Sequence, residues 1–90
     1  MSVEVEISSI FARYTDDHTS MKMEGKTVGE CLRDLARQYP EFGKMILDTN
    51  GELTSSFDVF INGESAYPNT MSRPVKDGDK LNIVLLVHGG

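Results

Sequence analysis

A strand-like apolar run, Leu81-Asn-Ile-Val-Leu-Leu-Val87, passes through His88 straight into Gly89-Gly90. Without Cβ atoms, two glycines make the thinnest and most pliable peptide segment available, and a carboxylate on Gly90 is unhindered. Such a segment could thread a narrow slot in another protein and present Gly90 as the reacting group. Composition alone would place two adjacent glycines there in about one chain in 200, and the last residues of many domains are simply frayed. The pair therefore takes its meaning from whatever positions it. His88 precedes the glycines and is expected to contact the same partner rather than to transfer protons.

The other chemically capable residues read as structural. Cys31 falls on the apolar side of a helical pattern, where a free cysteine behaves as a small hydrophobe. Asp77-Gly-Asp79 has the composition of a tight turn and offers too few ligands for a metal. Gly25-Lys26-Thr27 resembles the end of a phosphate-binding loop, but Ser20 occupies the position that the loop needs as glycine. His18 lies in a polar stretch with no companion group. No Ser/His/Asp, Cys/His or His-Glu-x-x-His arrangement is present. The chain is thus expected not to be an enzyme, and to have no metal and no cofactor of its own.

Ninety residues make one domain. A chain of this size buries roughly 60% of its unfolded surface or a little more, enough for one sheet and one helix but not for a deep active site. The net charge of −5 argues against nucleic acid and favours a basic protein surface as partner. A lone cysteine excludes an internal disulfide, and the acidic start Met1-Ser-Val-Glu-Val-Glu lacks the basic region of a signal peptide. The apolar run Ile83 to Val87 is too short to span a bilayer. These features give a cytoplasmic protein without a membrane contact.

The elements that must position the glycines follow from periodicity. Val3, Val5 and Ile7 alternate with acids, and Met21 to Glu24 alternates again, predicting a hairpin whose connection includes a polar loop from Tyr14 to Ser20. Thr27 with Glu30 three residues on is a reciprocal capping box. Val28, Cys31, Leu32, Leu35 and Tyr39 then share one helical face, with Arg33, Asp34 and Arg37 opposite. Pro40 ends this helix, and a shorter turn follows over Phe42 to Leu47 with Met45, Ile46 and Leu47 as anchors. Asp48 to Gly51 is a turn; Phe57, Val59 and Ile61 form a strand that reaches Asn62-Gly63, the signature of a type I′ hairpin.

The element order is β-β-α-β-β-β. It lets the first and last strands lie parallel in the middle of one mixed sheet of about five strands, with one main helix on one face. That is an α+β, β-grasp architecture over residues 1–88, with residues 87–90 as a tail overlapping its end. A central last strand is expected to be covered on both sides, matching its near-continuous apolar character. From Leu86 to Gly90 the chain could reach about 17 Å when extended. By strand parity Val3, Val5, Ile7, Val59, Ile61, Leu81, Ile83 and Leu85 face the helix. Phe60, Val84 and Leu86 then share the open face as a partner-docking patch.

In its β-grasp order, the Asn62-Gly63 hairpin, the Asp77-Gly78-Asp79 turn and the closing Gly89-Gly90, the chain resembles the ubiquitin-like sulfur carriers of the molybdopterin-synthase small-subunit and thiamine type. The stretch from Leu47 to Gly63 is similar to the longer archaeal and cysteine-synthesis carriers. The resemblance implies that Gly90 is adenylated by an E1-like enzyme using ATP and Mg²⁺. A persulfide donor then converts it to a thiocarboxylate, and an acceptor synthase uses the sulfur, with molybdopterin first among the acceptors. A protein modifier that forms isopeptide bonds through Gly90, and a binding module with incidental glycines, are the alternatives. Leu85, Leu86 and His88 replace the Pro-Pro pair and small residue of many molybdopterin-type members, which leaves the pathway open.

Overall fold

A computed structural model of the protein describes residues 2–86. Its first strand, β1 (Ser2–Ile7), buries Val3, Val5 and Ile7 and turns Ser2, Glu4 and Glu6 away from the core, as its period of two dictates. β2 (Ser20–Glu24) buries Met21 and Met23 and pairs antiparallel with β1, Met21 opposite Val5 and Met23 opposite Val3. The connection contains more structure than its polarity implies. Ser9–Tyr14 form a short 3-10 helix, opened by the Ser8 hydroxyl accepting the Ile10 N–H at 3.3 Å. Phe11 holds it down, its ring centroid 5.7 Å from those of both Phe42 and Phe57.

α1 (Val28–Gln38) starts where the capping pattern places it, Thr27 Oγ1 accepting the Glu30 N–H at 3.1 Å. The return bond goes one residue earlier than a reciprocal box would have it: Glu30 accepts from the N–H of Lys26, at 2.9 Å. Val28, Cys31, Leu32 and Leu35 are wholly buried, whereas Tyr39 is only partly so. Asp34 corrects the sequence reading, because it is buried rather than solvated. Its carboxylate accepts the N–H of Glu24 at 2.9 Å and is also bonded by Arg37 and Gln38. β2 is an edge strand, and Asp34 occupies one of the backbone donors that such an edge leaves open.

Pro40 ends α1 and also opens α2 (Pro40–Ile46), where its fixed φ and missing N–H suit the first helical position. The anchors of α2 are Phe42 and Ile46, four residues apart and wholly buried; Met45 and Leu47 are only partly buried. Gly43 allows the two helices to close, since a Cβ there would lie 2.5 Å from the Cβ of Ala36.

β3 (Phe57–Ile61) and β4 (Glu64–Ser65) form the expected hairpin, with positive φ at both Asn62 (50°) and Gly63 (90°). β5 (Lys80–Leu85) lies parallel to β1 and antiparallel to β3, giving the five-strand order β2-β1-β5-β3-β4. This is the mixed β-grasp sheet that the element order predicts. The far face of β5, however, is not covered. Leu81 and Ile83 are buried toward the helices, while Asn82 is partly open and Val84 is exposed. The predicted domain limit at residue 88 and the tail, residues 87–90, lie outside the described residues.

Candidate functional site

The site is built around the root of the tail. Gly90, Gly89 and His88 themselves lie outside the described residues. Their attachment point does not. Leu86 donates its N–H to Ser56 O at 2.8 Å, so the ladder between β5 and β3 continues one step past the strand. The backbone is therefore held, on the β3 side, up to the fourth residue before Gly90.

Five large hydrophobic residues are exposed among the described residues: Ile10 (62%), Tyr67 (73%), Val84 (37%), Leu85 (37%) and Leu86 (39%). All five line one of two concavities near the end of β5. Ile10, Val84 and Leu85 share one with Ser8 and Ser20. Tyr67 and Leu86 share the other, a groove of about 690 Å³, with Phe57 and Asp58. Phe11, Phe42 and Phe57 pack together in the core, with Phe57 also in the wall of the groove. Gathered at one end of the sheet, these residues form surface that a partner could cover.

Of the docking residues read from parity, Val84 and Leu86 are exposed as described, whereas Phe60 is half-buried. Phe60 pairs with Asn82 on one side and Ser65 on the other. Further across the same face Glu6 bonds Asn82 (3.3 Å) and pairs with Lys80 (3.5 Å), and Glu4 accepts from Ser20 (2.7 Å). The apolar surface consequently sits at the end of the sheet rather than along it. Leu85 was assigned to the helix side by parity, but it lies past the last buried core residue of its strand, Ile83, and is open. Ile10 and Tyr67 carried no periodic signal, because each sits in a connection. The unbroken apolar run from Ile83 to Val87 is the one hint in the sequence that both faces become apolar here.

The remaining candidates are structural. The Cys31 thiol is wholly buried, and burial above all, with Asp34, Glu30 and Glu24 nearby, pushes its pKa up to about 11. Asp79 accepts from Lys76 N (2.9 Å) and Asn62 Nδ2 (3.0 Å), and Asp77 accepts from Ser2 N (2.9 Å), so both acids serve the turn. His18 Nδ1 lies 3.3 Å from the Tyr39 hydroxyl. Among the described residues no three His, Cys, Asp or Glu side chains gather as metal ligands, and no helix is long and apolar enough to cross a membrane.

Fold and site together define a β-grasp protein whose central strand leads, between apolar flanks, into a Gly-Gly sequence. The chain belongs to the ThiS family of ubiquitin-like sulfur carriers, whose pattern matches residues 8–90. It is 27% identical over 93 residues to the sulfur carrier protein CysO of Mycobacterium tuberculosis, with 100% of each chain covered. It is likewise similar to a chain in the crystal structure of the Amycolatopsis orientalis BexX/CysO complex (30% identity, TM-score 0.84), covering 98% of this chain and 99% of that one. SAMP1 from Haloferax volcanii superposes with a TM-score of 0.83 at 25% identity, each chain covered over 100% of its length.

Proposed function

We propose that this protein is a sulfur carrier that works through the carboxylate of Gly90, with the catalysts on its partners. The observation that supports it most is the grip on β5, anchored to Leu86 by Ser56 and followed by four residues that span about 14 Å when extended. A folded domain can then stay outside a partner's active site while its terminal carboxylate enters. A carboxylate is a poor electrophile. An E1-like enzyme supplying ATP and Mg²⁺ converts it to an acyl-adenylate, with pyrophosphate leaving. The terminal sulfur of a persulfide donor attacks the acyl carbon, AMP departs, and a thiol then reduces the S–S bond of the acyl persulfide to free the thiocarboxylate. An acceptor synthase takes up that sulfur. The CysO relatives favour an amino-acid acceptor of the cysteine-synthesis kind over molybdopterin. We place this relay in the cytoplasm.

Intact mass spectrometry of the protein from its native host tests the reading. A species heavier by the difference between one sulfur and one oxygen is expected. It should disappear when Gly90 is deleted. Only the free acid, in a host whose relay is active, overturns the proposal. The likeness to SAMP1 favours a second reading, in which Gly90 forms isopeptide bonds to lysines. That reading predicts high-molecular-weight conjugates on a blot, lost on deletion of Gly89-Gly90. A simple binding module would instead keep full function when the chain stops at His88.

A further inference from the structure

The groove that holds Leu86 and Tyr67 is chemically one-sided. At about 690 Å³ it is the size of a ligand site, yet the charged residues lining it are Glu52 and Asp58, with no Lys, Arg or His. Glu52 is already paired with Arg33 at 3.5 Å. Asp58 differs. Its Oδ1 accepts the N–H of Val59 and its Oδ2 the hydroxyl of Ser65, both at 2.8 Å, and among the described residues no Lys or Arg pairs with it. Those two bonds fix the direction of a carboxylate whose charge is left uncompensated.

Beside it the groove carries Tyr67, whose 73% exposure is unusual for so large a ring, and the apolar side chains of Met71 and Leu86. Thr54, also in the lining, keeps its hydroxyl oxygen buried with no partner among the described residues, an uncompensated cost that a donor entering the groove could relieve once the hydroxyl turns toward it. A fixed anion, a bare aromatic ring and an apolar wall are the requirements of a cation on an apolar stem.

We propose that this groove receives an arginine side chain projecting from the protein that takes up the tail. Arginine suits it better than lysine, because a planar guanidinium can stack on Tyr67 while donating to Asp58 and a hydroxyl together. The occupant is a protein side chain because the lining of the groove includes Leu86, the last anchored residue before the Gly-Gly sequence. Whatever grips the tail also covers the groove, and the net charge of −5 draws a basic surface toward it. The assignment rests on the sulfur-carrier reading only for which protein supplies the arginine.

The test uses the purified full chain, so its outcome is independent of whether Gly90 acquires sulfur. Amide chemical shifts are followed during titration with the tripeptide acetyl-Ala-Arg-Ala-amide, with its citrulline analogue, and with spermidine. The arginine peptide is expected to shift Thr54, Asp58, Ser65 and Tyr67 selectively, and the neutral citrulline peptide is not. Asp58→Asn, which keeps the acceptor for Val59, should weaken the arginine peptide about two- to fivefold. Tyr67→Leu should weaken it less, with the shifts still centred on Asp58. Equal shifts from citrulline, shifts spread over the acidic surface, or unchanged affinity in Asp58→Asn would each overturn the site. Tighter binding of spermidine in the same groove would overturn the choice of a protein side chain.

Discussion

The two ends of the central strand are built on opposite rules. Where β5 begins, polar groups close on one another. Asn62 Nδ2 donates to Asp79 (3.0 Å), Lys80 N donates to Asn62 Oδ1 (2.9 Å), and Lys76 N donates to the other oxygen of Asp79 (2.9 Å). Glu4 N reaches Asp79 O and Gly78 N reaches Ser2 O, each at 3.0 Å, tying β1 into the same clasp. Where β5 ends, one backbone bond from Leu86 to Ser56 continues the ladder, and Ile10, Tyr67, Val84, Leu85 and Leu86 stand exposed around it. At the first end the buried carboxylate and the turn's backbone donors are satisfied internally. The second keeps apolar surface that only another molecule can cover. In a small domain this division leaves one end for rigidity and the other for the recognition proposed above.

The comparison breaks most readily at Asp79. It is buried and holds two hydrogen bonds, so Asp79→Ala should cost about 2–3 kcal/mol in urea unfolding. A loss near zero would mean that the clasp is ornamental. The acid response should follow. The Lys76 N–H first, then Asn62, holds the Asp79 carboxyl below its ordinary 3.8, and the Glu24 N–H does the same for Asp34. A group whose native pKa is depressed contributes stability above its unfolded value and loses it as pH falls through the native one. Stability should therefore decline below pH 3.8, and Asp79→Asn should flatten that decline in acid titrations followed by circular dichroism.

At the other end, Ile10→Ser combined with Leu85→Ser should change stability by about 1 kcal/mol at most, since neither residue is fully buried. The same pair should weaken binding to the proposed activating enzyme about tenfold or more in titration calorimetry. A double variant that binds normally would move the docking surface elsewhere. The smallest effect is expected at Cys31. With its pKa near 11 and no exposed surface, the thiol should leave Ellman's reagent unreacted at pH 8 until the protein is unfolded. Rapid reaction of the native protein would show that the core around α1 opens.

Much of the fold was legible because local rules and global arrangement agree. Alternation at Val3-Val5-Ile7, the Thr27 cap, Pro40 and Asn62-Gly63 each demand one conformation, and each demand is met in place. Asp34 was not legible, because helical periodicity puts it near the polar face and nothing local announces that the N–H of Glu24 lies above it. Leu85 was misplaced for a related reason: parity assigns a face but does not say where along a strand the helix cover stops. Ile10 and Tyr67 belong to connections, whose side chains have no period to read.

By itself the sequence determined the strands, the main helix and their order, and it sets Gly89-Gly90 four positions beyond the last strand, since periodicity, caps and turn residues act over a few neighbouring positions. Only the tertiary structure decided which surface surrounds that strand's end. Ile10, Tyr67 and Leu86 lie far apart in the chain and come to the same end of the sheet through the packing of Phe11, Phe42 and Phe57 and the pairing of β5 between β1 and β3. Exposure at such a place depends on where the cover from distant segments stops, and no local pattern encodes it.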